Sequence, residues 1–553
     1  MVETINVLTQ HNDNSRTGAN LQEVVLTTSN VNQRQFGKLF ERQVDGETYA
    51  QPLYVGNLTF PNQGTHNVVY VATMHNSVYA FDADDPQAAS PLWKTSLGPS
   101  APLPDPNIGP FPNYRDISVE VGILSTPVIS LTHNALYALA FTKVGNTYAH
   151  RLHALDLTTG VEKFGGPVQL QANIPGTDAG SVNGRVIFTS HQQLQRSALL
   201  LANDTIYIAF AAYGDKDPYH GWVFAYSAST LKQSAVFNTS PNGKQAGIWM
   251  AGQGPSADSN NNIYLLTGNG SFDSGGSAWG DCFLKFRPNL TLLDWFSPFD
   301  NSDLSNHDAD VGSSGALLIP NTNLLVGGGK EGKFHLMQTD KMGHINSQPQ
   351  NSQIVQDFYI TLPDNLNDAI GSAMRTGESH HIHGGPVYWN GPHGPWIYVW
   401  PEDTFLKAFA LVNGKFQTKP APPIQLTPQK PSKITAQQGV PISQSTTTDP
   451  TGKPGGSVGM PGGILSISAN GSTPGSGIVW ASHPYRMDAN QAVVEGIVRA
   501  YDASDLTKEL WNSKQNASRD DIGNFAKFCP PTIANGKVYM ASFSGHLAVY
   551  GLL

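Results

Sequence analysis

The chain has 553 residues, only 14% of them charged, and a net charge of −9. No basic tract or stripe is present, which argues against a nucleic-acid partner, and no apolar run reaches the ~18 residues that suggest a membrane span. Two cysteines, Cys282 and Cys529, exclude a disulfide framework and a Cys-rich zinc site, leaving either one disulfide or two buried thiols. The 55 glycines and 38 prolines are spread along the chain and suit many short strands joined by turns. The chain begins Met1-Val2-Glu3-Thr4 with no apolar signal core. With its low Lys content and abundant Asn, Gln, Ser and Thr, the expectation is a periplasmic or extracellular protein whose signal peptide has been removed, with a cytoplasmic protein as the alternative.

A repeated phrase organises the chain. Two β-rich runs are joined by a turn, the second ending in a small residue and then an aromatic or apolar one; a polar turn and a final strand follow. The endings are Ala80-Phe81-Asp82, Ala154-Leu155-Asp156, Ala225-Tyr226-Ser227, Lys285-Phe286-Arg287, Leu336-Met337-Gln338, Ala408-Phe409-Ala410, Ala500-Tyr501-Asp502 and Val549-Tyr550-Gly551. Each phrase reads as a four-stranded antiparallel unit. One unit alone exposes both faces of a small sheet, and radial stacking buries them. The sequence therefore predicts an all-β, eight-bladed β-propeller occupying residues 1–553 as a single domain. A seven-bladed ring, with the fifth or sixth unit absorbed, is the rival count.

Units begin near residues 50, 122, 197, 247, 310, 382, 459 and 527, roughly 70 residues apart, where a blade needs only ~40–50. The excess belongs to loops such as 213–221, 270–281 and 483–495. Residues 414–458 read as a long excursion between blades six and seven, and Gly455–Gly463 as a flexible loop at the channel mouth. The last unit supplies three strands. Phe36–Arg42 is expected to provide its fourth and close the ring, removing the last open edge.

These blades resemble those of the pyrroloquinoline-quinone (PQQ) dehydrogenases and their cofactor-free relatives, over nearly the whole chain. The chain also resembles uncharacterised bacterial PQQ-like repeat proteins. Thr267-Gly268-Asn269-Gly270 is similar to the family's segment whose Asn sits by the quinone and its metal. His307-Asp308-Ala309-Asp310-Val311-Gly312 is similar to the segment bearing the catalytic aspartate, and Gly328-Gly329-Lys330-Glu331-Gly332 lies where the family has a basic residue near the quinone oxygens. The resemblance thus implies Asp310 and Lys330 as catalytic groups, and Asn269, Trp249, Gln253 and Lys330 around PQQ. Asn269 and Asp310 would face a Ca²⁺ ion. Three features depart from the family: no adjacent cysteine pair exists, Trp249 is out of register with the stacking tryptophan, and Asp215 or Asp217 must replace a metal-binding Glu.

In a propeller the residues leading into each innermost strand ring the mouth of the central channel, where ligands bind. Here they are Gln51, Glu120, His191, Trp249, Asp308, Asp310, His381, His383, Met460 and Lys527. Ser379-His380-His381-Ile382-His383-Gly384-Gly385 is the sharpest local feature. Alternate strand residues share a face, so His381 and His383 with Asp310 could form a two-His, one-carboxylate site for Fe, Zn or Mn; a loop cap plus a buried-carboxylate partner is the bland alternative. His220 is a weaker candidate ligand, and His75 reads as an exposed hairpin tip. Three functions follow. One is a secreted oxidoreductase acting on an alcohol or sugar, with Asp310 as general base. The second is a non-catalytic propeller binding protein or glycan, and the third a metal-dependent hydrolase or lyase using His381 and His383. The oligomeric state is left open by the sequence.

Overall fold

In a computed structural model, the structure describes residues 4–178, 180–346, 351–361, 381–421, 436–448 and 459–553. The Ser379-His380 part of the histidine run and Gly455–Val458 lie outside the described residues. Eight antiparallel sheets form an eight-bladed propeller, each of four principal strands. The innermost strands are Leu53–Phe60, Val128–Ser130, Leu200–Ala202, Ser256–Ala257, Leu317–Ile319, Val387–Gly391, Ile464–Ser468 and Thr532–Ala534. Among the described residues, no helix is long and apolar enough to cross a membrane.

The ring closes where the sequence predicts. Phe36–Gln43 pairs antiparallel with His546–Leu552, so the eighth blade takes its outermost strand from the other end of the chain. Phe36 packs its ring on Trp480, Trp511 and Tyr550, welding the seam into the core between blades seven and eight.

The repeated alanine has a direct cause. In five blades it lies across the sheet from an aromatic of the preceding strand: Tyr70 opposite Ala80, Tyr137 opposite Ala154, Tyr207 opposite Ala225, Tyr398 opposite Ala408 and Trp480 opposite Ala500. A methyl leaves room for the ring, as cross-strand neighbours share one face. The tyrosine hydroxyls then donate to carbonyls of the next blade: Tyr70 to Leu157, Tyr137 to Ala228, Tyr207 to Pro288 and Tyr398 to Ala503. Tyr539 donates to Ala83 and carries the same link across the closure from blade eight to blade one. Trp93 adds a second donor at the first joint, to Leu157 O.

The long excursion expected over 414–458 is corrected in part. Ser443–Thr448 pairs with Phe405–Val412 and is the outermost strand of blade six, while Thr418–Pro420 and Gln437–Gly439 extend the sheet of blade five. An outermost strand is largely solvated, so Ser-Gln-Ser-Thr-Thr-Thr carries no apolar pattern that would betray it. The two cysteines are buried free thiols.

The N-terminal segment plays a part that no sequence motif signals. Residues 6–20 thread round the axis and meet all eight innermost strands in order. Asn6–Val7 pairs with blade one, Leu8 O accepts from Ile129 N, and Asn14 bonds to Leu201 and Ala257. Ser15 O, Thr17 O and Gly18 O accept from Leu318, Tyr388 and Ile467, and Asn20 donates to Ile533 O. Arg16 is fully buried and donates to Thr9 Oγ1 and to the carbonyls of Gln10, Pro255 and Leu199. Replacing Arg16 with Ala strands those carbonyls and opens a void. It is expected to cost about 3 kcal/mol or more, read as a lowered melting temperature by circular dichroism.

Candidate active site at the channel mouth

The loop between blades four and five brings Asp308 and Asp310 beside Lys330, which follows the second strand of blade five. Lys330 Nζ lies 2.6 Å from Asp310 Oδ2 and 2.9 Å from Asp308 Oδ2. The Asn269 N–H donates to Asp310 Oδ1 at 2.7 Å, and its side-chain amide donates to Asp308 Oδ1 at 3.3 Å. Gly268 is required here, because a Cβ would stand 2.2 Å from Asp310 Oδ1. Buried Asp281 accepts from the Val311 N–H at 3.0 Å and pins the loop from below. Burial works against the Lys330 ammonium, but Asp310 and Asp308 outweigh it and raise its pKa. Burial raises the pKa of Asp308 and, reinforced by Asp310, that of Asp281 well above the carboxylate range.

Trp249 borders this cluster. The Arg196 guanidinium sits 5.6 Å from the centre of its ring and 4.4 Å from that of Phe528. Tyr219 meets Trp249 edge-on and donates to Asp215 at 2.6 Å. Asp215 has its pKa pushed up to about 6 by burial and then by the charge of Asp310. Left-handed non-glycine backbone gathers round the mouth, at Asp215, Met250, Ala251, Asp281, Asp308 and Phe528. Such strain persists where surrounding structure enforces it and concentrates at functional sites.

On the far side, His383 Nδ1 lies 2.6 Å from Glu402 Oε1 and His381 Nδ1 lies 3.6 Å from Glu402 Oε2. The Ile382 N–H donates to Gly329 O, and Ser313 Oγ–H donates to Ile382 O, so this segment docks against the Lys330 loop. The carboxylate beside the two imidazoles is therefore Glu402; Asp310, expected there from sequence, is engaged by Lys330 and Asn269. Glu402 was missed because it follows a strand of blade six through Pro401, with no neighbouring motif. Arg196 and Asp281 were missed for a similar reason, as isolated charges in loops. Burial, with Lys330 and Arg196 nearby, pushes the His383 pKa well below the imidazole range.

The remaining expected mouth residues divide. Lys527 is buried and donates to the carbonyls of Asp116 and Asn490, and burial lowers its pKa to about 8. It lines a cavity of about 320 Å³ with Tyr49, Tyr114, Asp116 and Phe543. Met460 packs at the edge of a small apolar cluster that includes Phe528. Gln51 is buried and joins the N-terminal thread, through His11, to Thr532 of blade eight. Gln253 donates to Ala316 O and fills the space beside Gly315 and Gly385. Glu120 pairs with His75, an exposed hairpin tip as expected, and His191 packs on Tyr148. His220 is engaged by Asp178 and Ser240, and Asp217 accepts from Gln245.

No protein-family model and no curated protein matches the sequence. Solved structures do match in shape. A quinohemoprotein alcohol dehydrogenase from Pseudomonas putida HK5 superposes with a TM-score of 0.58 at 14% identity, covering 99% of this chain and 80% of that one. The quinohemoprotein alcohol dehydrogenase of Comamonas testosteroni gives 0.54 at 13% identity, over 99% and 80% of the two chains. A europium-containing methanol dehydrogenase gives 0.55 at 12% identity, over 99% and 98%.

The lowered Lys527 pKa makes a prediction. Between about pH 8 and 10.5 the unfolded chain keeps this proton and the folded chain does not, so the parent gains stability as pH rises. Relative to Lys527→Met, the parent is expected to gain roughly 3 kcal/mol over that interval, measured as the pH dependence of the difference in melting temperature. The sheet arrangement and these superpositions give the conclusion that the chain has an eight-bladed propeller fold, like that of the quinoprotein alcohol and methanol dehydrogenases.

Proposed function

We propose that the protein is a quinoprotein-like oxidoreductase that oxidises an alcohol or sugar hydroxyl at the channel mouth, with Asp310 as general base. The observation that carries this reading is the convergence of Asp310, Lys330 and Asn269 from separate loops onto one small, strained, largely buried cluster. The side chains also fit the cofactor class. Asn269 Oδ1 is buried and, among the described residues, accepts no hydrogen bond, beside two carboxylates. An unpaired amide oxygen beside carboxylate oxygens suits a hard cation. Arg196 and Lys330 supply positive charge suited to the carboxylates and carbonyls of PQQ, and Trp249 offers an aromatic wall with its indole N–H unused.

On this reading Asn269 and Asp310 would hold the metal, and Lys330, Arg196 and Trp249 would hold PQQ, which when bound supplies a two-electron acceptor for the hydride of the alcohol carbon. Asp310 Oδ2 is to take the hydroxyl proton, and the Lys330 ammonium keeps that carboxylate in register. Trp249, Phe528 and Tyr219 exclude water from one side of the cluster. We further infer that the protein acts outside the cytoplasm, as its Lys-poor, Asn- and Thr-rich composition suits; fractionation of the producing cell tests this.

Incubation with PQQ and Ca²⁺, or PQQ and Eu³⁺, is expected to give a quinone absorbance and dye reduction on adding an alcohol. Asp310→Asn is expected to lower kcat by roughly 10²–10⁴ while leaving the absorbance in place. A colourless, inert protein with both metals would sink the reading.

A further inference from the structure

The histidine segment of blade six carries a second, different site. His381 and His383 alternate on one strand-like run, and Glu402 comes from the turn after the second strand of the same blade. One ligand atom from each of the three residues lies within 4.8 Å of the other two. Four-coordinate zinc with bonds of about 2.0–2.1 Å needs ligand atoms roughly 3.3 Å apart, so small rotations of these side chains complete the set. The His383–Glu402 contact is itself informative. The two atoms are 2.6 Å apart, yet His383 Nδ1 makes no hydrogen bond of acceptable geometry among the described residues. His383 Nδ1 and Glu402 Oε1 thus stand close enough for one ion to contact both residues.

We propose that His381, His383 and Glu402 bind one divalent transition metal, of the zinc or iron(II) class, with a coordination position left open toward the channel mouth. Two imidazoles and one carboxylate satisfy such an ion and leave room for an exchangeable water, the arrangement of catalytic rather than structural sites. Lys330, Arg196 and Lys527 face His383 and oppose a dication, while Glu402 and Asp310 favour it. The soft-to-borderline nitrogen donors separate this site from the all-oxygen set at Asn269 and Asp310, so it stands or falls independently of the oxidoreductase reading.

The test is titration of the full-length, chelator-treated protein with Co²⁺, followed by visible absorption, with Zn²⁺ competition. One equivalent of Co²⁺ is expected to give ligand-field bands, displaced by Zn²⁺ and not by Ca²⁺. His383→Ala and the part-exposed His381→Ala should each weaken binding by more than the roughly 10–100-fold that loss of an outer-shell partner costs. Asp310→Asn should retain it. Circular dichroism establishes that each variant is folded, and His381→Ala keeps the test open should Glu402→Gln or His383→Ala fail to fold. Absence of stoichiometric binding by the parent, or binding undiminished in the folded histidine variants, overturns the proposal. Binding lost in Asp310→Asn but kept in His381→Ala also overturns it, assigning the ion to the other cluster.

Discussion

Eight sheets set round an axis each turn an innermost strand toward the centre, and every such strand has an edge that must be satisfied. The segment from Asn6 to Asn20 meets that need by hydrogen bonding to the blades one after another. Arg16 lies within this thread, its donors spent on carbonyls of the thread and of blades three and four. A buried arginine with its donors satisfied is a rigid cross-brace, because withdrawing any partner leaves a desolvated polar group. The chain's first residues and its eighth blade are thereby joined twice, once at the axis and once at the rim through Phe36–Gln43.

Between axis and rim, the blades hold together by a recurring exchange. A tyrosine on the second strand lies over an alanine of the third and spends its hydroxyl on a carbonyl of the next blade. Apolar burial alone would let neighbouring sheets slide, since it has no direction. The hydroxyl-to-carbonyl bond sets the relative position of two blades. That precision matters at the mouth, where Asp310, Asn269 and Lys330 come from different blades or their connections and meet within hydrogen-bonding distance.

The mouth holds two chemically distinct clusters side by side. One is built of oxygens around a lysine, at Asp308, Asp310, Asn269 and Lys330. The other is built of imidazoles around a carboxylate, at His381, His383 and Glu402. They share an electrostatic environment, since Lys330 and Asp310 both act on His383, and they share a scaffold, since Ile382 is bonded to Gly329. Charge added to either cluster is felt by the other.

The blade count, the closing strand at residue 36 and the gathering of Asp310, Lys330 and Asn269 were legible in the sequence. Each follows from local information: a repeated strand–turn–strand phrase, an unpaired strand at one end, and motifs of a few adjacent residues. The tyrosine–alanine register was present in the letters but acquires meaning only when the strands are paired. The N-terminal thread, the outermost strand of blade six and the partnership of Glu402 with the two histidines were decided by the tertiary structure. None has a hydrophobic period, because the thread and Glu402 are buried through polar bonds and the strand lies at a solvated edge. Contacts of that kind join residues tens to hundreds of positions apart, and only the closed ring brings them together.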